Sequence, residues 1–204
     1  MAFNKFKNIP LIGSFLNSVA RNRVNIKVQQ IIKNLHHESK VLDVGCGNGL
    51  LCKGLMDACY DVTPVDIQNN SFLAEVKPIL YDGETLPFDD NQFDTVLLVT
   101  VLHHARFPER LLSEGARVAT KLIVIEEVFS SLPGKYWAFF IDSLFNFEFR
   151  GHPHTNKTNL QWLRVFAEMD LTVTVNEHSS TFPWLRRVLY VAIKSELSGR
   201  TRSL

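Results

Sequence analysis

Five short apolar runs lie between residues 40 and 128, and helical or turn-forming stretches separate them. They read "SKVLDVG", "DVTPVDI", "VKPILYDG", "FDTVLLVTVLHH" and "KLIVIEEV". Each is strand-length and apolar on both alternating faces, the pattern of a strand covered on two sides. Such strands alternating with helices imply an α/β domain with a parallel sheet between two helical layers. Before them, Val24, Val28, Ile31, Ile32 and Leu35 form the stripe of an amphipathic helix. Between them, "GLLCKGLMDACY" and residues 108–119 read as helices, with Pro108 tolerated in a first turn. After them, "NLQWLRVFAEMD" reads as a helix with Leu160, Leu163, Phe166 and Ala167 on one face. "LTVTVNEH" and "RVLYVAIK" then read as an antiparallel strand pair.

Charge and cysteine content narrow the function classes. The formal net charge is +1 over 204 residues, which argues against bulk nucleic-acid binding. Cys46, Cys52 and Cys59 are odd in number and sit within one strand–helix unit, which favours a reducing, cytoplasmic setting over a disulfide framework. No apolar run is long enough for a membrane span. Residues 1–37 carry Lys5, Lys7, Arg21, Arg23, Lys27 and Lys33 with no acidic residue, and form a helical cap or basic segment ahead of a domain at 38–204. That segment is read as a solvated basic face, with peripheral membrane contact left open. Oligomeric state is not legible.

"VLDVGCGNGLL", residues 41–51, is the stretch with the most chemistry. Gly45, Gly47 and Gly49 form G-x-G-x-G between a strand and a helix, whereas the dinucleotide fingerprint needs a glycine where Leu50 stands. A nicotinamide or flavin reading is weakened accordingly. Asp43 lies inside the first strand, where a buried charge demands a partner. Asp66 ends the second strand 66 − 43 = 23 residues later, close to the spacing of a ribose-binding acid. Asp82 ends the third run. Three successive acids near strand C-termini suit a ligand with a ribose, a base and positive charge, such as S-adenosylmethionine. Its carboxylate would be received by N–H groups at the helix start near Gly49.

Together "VLDVGCGNG", "VTPVDI", "YDGETLPFDDNQFDTVLLVTVLHH" and "RLLSEGARV" resemble a class I S-adenosylmethionine-dependent methyltransferase. The chain is most similar to the small-molecule group that includes ubiquinone/menaquinone-biosynthesis methyltransferases. The resemblance spans residues 38–128. It implies a Rossmann-like seven-stranded, mostly parallel sheet whose last strand is antiparallel. It also implies that Gly45, Cys46, Gly47 and Gly49 line the methionine end, and that Asp66 and Ile67 hold ribose and flank adenine. Asp82 and Gly83 would meet the adenine edge, with Thr100 beside the ligand. A non-catalytic S-adenosylmethionine-binding module would carry the same residues. Base methylation of nucleic acid is disfavoured, because "TVLHH" stands where an amide motif such as N-P-P-Y would be.

His103 and His104 follow the fourth strand at the ligand end, and His104 is the preferred general base. Glu126 and Glu127 are expected on opposite faces of the fifth strand, one at the acceptor pocket and one in solvent. Residues 129–155 are read as an aromatic lid insertion. There Tyr136, Trp137, Phe139, Phe140, Phe145, Phe147 and Phe149 favour a small or lipid-like acceptor that is apolar or ring-containing. His152 and His154 lack the partners of a metal motif, and no metal is expected.

Overall fold

The computed structural model describes residues 22–128, 157–182 and 185–195. The first part of the basic segment, the 129–155 insertion with its aromatics, and His152 and His154 therefore lie outside the described residues.

Residues 22–32 are helical (α1). There follow β1 (Lys40–Val44), α2 (Leu50–Asp57), β2 (Asp61–Asp66), β3 (Ile79–Leu80) and β4 (Phe93–Val99). A 3₁₀ turn at Leu102–His104 leads to α3 (Pro108–Val118) and β5 (Ala119–Val128). The chain closes with α4 (Asn159–Glu168), β6 (Leu171–Phe182) and β7 (Leu185–Lys194). The strands form a seven-stranded sheet in the order β3-β2-β1-β4-β5-β7-β6. Pairing is parallel from β3 through β5, and β7 runs antiparallel to both β5 and β6. This is the expected sheet, antiparallel last strand included.

Helices cover both faces because neighbouring strand residues point to opposite sides. Leu42, Val96, Leu122 and Val124 pack with Leu111 and Leu112 of α3 and Trp162 and Phe166 of α4. Val41, Leu97, Ile123 and Ile125 pack with Val28 and Ile31 of α1 and Cys52 and Leu55 of α2. These residues are buried on both sides, which explains why the central strands lack hydrophobic alternation.

Three local expectations change. The third strand is only Ile79–Leu80, at the sheet edge, with both residues exposed. Pro78 immediately before it has no N–H to donate, so the ladder starts late and Asp82 falls in the following turn. β4 stops at Val99, because Thr100 turns into the left-handed region at φ 55°. The histidines therefore ride on a 3₁₀ turn rather than on the strand. In α4 the buried residues are Trp162, Val165 and Phe166, while Leu160 and Ala167 are exposed. Burying the two large aromatic side chains outweighs burying a leucine and an alanine.

Candidate S-adenosylmethionine site

The C-terminal edges of β1, β2 and β4, with the loops after them, border a cleft of about 1600 Å³. Open α/β sheets bind ligands at this edge. Asp43, Gly45, Cys46, Gly47, Asp66, Ile67, Asp82, Gly83, Thr100 and His104 all line it.

Gly49 does not. A side chain there would run into its neighbours, with its Cβ 2.7 Å from Ser71 Oγ and 3.0 Å from Val76 Cγ1. Its own N–H donates to Cys46 O, and that of Leu50 to Asn48 Oδ1. The helix start therefore does not present these groups as open anion donors, contrary to expectation. Gly45 has φ +73°, and a Cβ there would lie 2.4 Å from Val101 Cγ2, so the turn has no room for a side chain. Gly47 differs. A Cβ would meet only Gly45 O at 3.9 Å, so the space before it belongs to the cleft.

Asp43 is 1% exposed. Burial pushes its pKa up to about 6, against the Cys52 thiol, which donates to Oδ2 at 2.9 Å and lowers it. Nearby Asp66 raises it further, and Lys27 lowers it. The Cys52 thiol is held protonated: its contact with Cys46, burial and the Asp43 carboxylate all push its pKa up.

Asp66 does more than end β2. Its Oδ2 accepts from Gly47 N at 2.8 Å and its Oδ1 from Ile67 N at 2.7 Å, so the carboxylate clamps the glycine turn to the strand. Asp82 Oδ1 accepts from both Thr85 N and Glu84 N at 2.8 Å. Those backbone donors hold its pKa below the ordinary value.

The glutamates do face opposite ways, with an unexpected division of labour. Glu126 is fully buried; Oε1 accepts from Leu102 N at 2.8 Å and Oε2 lies 2.6 Å from His103 Nδ1. It pins the 3₁₀ turn that carries His104, whose ring centroid lies 4.0 Å from that of His103. Neither Glu126 nor Glu127 is among the residues that line the cleft. Sequence reasoning also missed Lys27, which lines the cleft from α1. Its position at i+3 from Val24 and i−4 from Ile31, on the apolar face, was the available signal. Among the described residues, no group of three or more His, Cys, Asp or Glu is arranged to hold a metal. No described helix is long and apolar enough to cross a membrane.

Residues 42–122 match the family described as a methyltransferase domain. The demethylmenaquinone methyltransferase of Renibacterium salmoninarum is 32% identical over 96 residues, 43% of this chain and 40% of that protein. The chain thus spans well under half the length of this curated relative. Among solved structures, an S-adenosylmethionine-dependent methyltransferase from Methanosarcina mazei is 19% identical with a TM-score of 0.64, covering 81% of this chain and 97% of that one. The magnesium protoporphyrin IX methyltransferase of Synechocystis PCC 6803, with bound S-adenosylhomocysteine, is 21% identical with a TM-score of 0.64. That alignment covers 86% of this chain and 84% of the other. The two structures share the fold, and the sequence match runs through the glycine turn and the strand-end acids. Residues 42–122 thus carry the sequence pattern of a methyltransferase domain, and the fold is the one seen in S-adenosylmethionine-dependent methyltransferases of known structure.

Proposed function

We propose that this chain transfers the methyl group of S-adenosylmethionine to a small acceptor that is apolar or carries a ring. One observation carries the cofactor half of this reading. Asp43, Asp66 and Asp82 border one cleft, opposite a glycine whose missing side chain leaves the backbone open. The donor set fits the ligand. Asp66 would accept from the ribose hydroxyls, Ile67 would flank the adenine, and Asp82 with Gly83 would meet its amino edge. Gly45, Cys46 and Gly47 would line the methionine portion, with Thr100 beside it. Asp43 would face the α-ammonium, whose charge would favour the ionised carboxylate that burial disfavours.

When bound, the cofactor supplies a methyl group already activated on a sulfonium, displaced in line so that the S–C electron pair stays on sulfur. The protein's task is alignment and exclusion of water. His104 would take the proton of an acceptor that loses one on attack, held in place by the turn that Glu126 pins. Support for the acceptor class comes from the aromatic composition of residues 129–155 and from the relative named for demethylmenaquinone.

The test is turnover of the donor, followed as S-adenosylhomocysteine formation, with a panel of apolar and ring-containing hydroxyl acceptors and small polar acyclic controls. Turnover restricted to the apolar and ring-containing acceptors is expected. Turnover with the polar acyclic compounds alone refutes the acceptor class, and cofactor binding without any turnover points to the non-catalytic module.

A further inference from the structure

We propose that the buried Glu126–His103 pair balances the charge that His104 acquires as a base, and that the group methylated is accordingly a hydroxyl, which gives up its proton as it attacks. The proposal rests on the reading of His104 as a base at the cleft and deepens it with two positioning residues and an acceptor class.

Glu126 lies near the end of β5, on the sheet face shared by Leu122 and Val124. It is fully buried, and His103 is buried with it. Taking a carboxylate out of water this completely is costly unless its oxygens are engaged. Here both are: Oε1 accepts from Leu102 N–H at 2.8 Å, and Oε2 lies 2.6 Å from His103 Nδ1. Satisfying the Leu102 N–H needs only an oxygen, which a glutamine would supply without a charge. The charge and the imidazole exceed what the turn requires.

The imidazole carries the arrangement to the cleft. The ring centroids of His103 and His104 are 4.0 Å apart with the planes tilted by 44°, and His104 lines the cleft. A carboxylate accepting from Nδ1–H fixes both the tautomer and the orientation of the His103 ring. Burial favours that ring in its neutral form. The pair then carries one negative charge, withdrawn from water, one ring away from the base. That charge favours the imidazolium His104 becomes on taking a proton, as a buried aspartate does for the histidine of a hydrolase triad.

The other ionisable groups around the turn are engaged elsewhere or border the cleft. Tyr190 of β7 shares this sheet face, and its hydroxyl donates to Asn159 Oδ1 at 2.7 Å. Burial first, and Glu126 next, push its pKa up. On α3, Glu109 pairs with Lys157, Arg110 with Glu84, and Glu114 with Arg117. Lys27, Arg106, Asp43, Asp66, Asp82 and Glu84 line the cleft that His104 faces.

The step balances with no further reactant. The hydroxyl proton passes to His104, the acceptor oxygen bonds to the methyl carbon, and the S–C bond breaks with its electron pair left on sulfur. The positive charge lost from sulfur reappears on His104, beside Glu126 and His103. A thiolate or a carboxylate attacks with an electron pair already free, and a free amine loses its proton only after attack. None of these needs a base set up in this way.

Glu126→Gln keeps an oxygen for Leu102 N–H while removing the charge and turning an amide N–H towards His103. Full-length wild type and variant are assayed with 4-methylphenol and 4-nitrophenol at mildly alkaline pH, where the first is protonated and the second ionised. With 4-methylphenol the variant should lose at least tenfold in kcat, at unchanged KM and unchanged S-adenosylhomocysteine affinity. With 4-nitrophenol the loss should be under twofold. Equal losses on both acceptors, or no loss on either, overturn the proposal. A second arm needs neither acceptor nor cofactor. Histidine ¹⁵N NMR should show His103 neutral with its proton on Nδ1 in wild type, and the protonation midpoint of His104 should fall by about one pH unit in Glu126→Gln. A cationic His103 at neutral pH, or an unmoved His104 midpoint, overturns the charge balance. Should the variant fail to fold, the wild-type spectra still decide. If neither phenol is methylated while the NMR result holds, the ring-acceptor reading fails and the charge-balancing pair stands.

Discussion

Asp43→Asn isolates what it takes to keep a carboxylate inside β1. The side chain is buried, and its pKa rises from 3.8 unfolded to about 6 folded, chiefly through desolvation. A raised folded pKa means that the native state binds the proton more tightly than the unfolded chain. The associated stability is fully present below the unfolded value and is lost as pH climbs through the folded one, so the window is pH 3.8 to about 6. A shift of roughly two units corresponds to about 3 kcal/mol. Asparagine keeps the shape and an oxygen to accept from Cys52, and it does not ionise. Urea unfolding of both proteins from pH 4 to 8 should therefore give near-equal stabilities at pH 4. A gap of about 3 kcal/mol in favour of the variant should open by pH 7. The same variant should bind S-adenosylhomocysteine more weakly at pH 7, because the ligand's ammonium loses its anionic partner. A stability difference that stays constant across that range would refute the argument that burial, rather than pairing, governs this carboxylate.

Gly45→Ala and Gly47→Ala should part company. The first should lose about 1–3 kcal/mol in thermal or urea unfolding through left-handed backbone strain and the clash with Val101, whereas the second, at φ +53° but with open space, should lose only the backbone part, about 1 kcal/mol, and lose cofactor affinity in calorimetry. Glu126→Ala should destabilise by about 1–3 kcal/mol, since it leaves the buried Leu102 N–H without its acceptor, while Glu126→Gln should recover part of that loss in the same urea assay. His104→Ala should lower turnover at unchanged S-adenosylhomocysteine affinity if it acts as the base; equal turnover would leave alignment as the whole mechanism.

The glycine turn and the strand-end acids of the candidate site were legible because they are built locally. β1, the glycine turn and α2 follow one another in the chain, and Asp66 ends the neighbouring strand. What escaped depends on partners distant in sequence. Glu126 meets His103 across 23 residues, and its role follows from how β5 lies beside β4. Glu127 likewise meets Arg187 only through the β5–β7 pairing, 60 residues away in the chain. Gly49 shared the motif's spacing, and only the positions of Ser71 and Val76 show that a side chain has no room there. The shortness of β3 and the buried face of α4 are likewise tertiary outcomes, set at a sheet edge and by two aromatic side chains.

Asp66 is the carboxylate on which ribose binding depends in the proposed site. Calorimetric titration of S-adenosylhomocysteine into wild type and Asp66→Ala, with NAD as the competing ligand, measures it. The expected result is binding to wild type, a loss of roughly 1.5–3 kcal/mol in the variant as for hydrogen bonds to a charged group, and no heat from NAD. Unchanged affinity in the variant, or binding of NAD in place of S-adenosylhomocysteine, would contradict it.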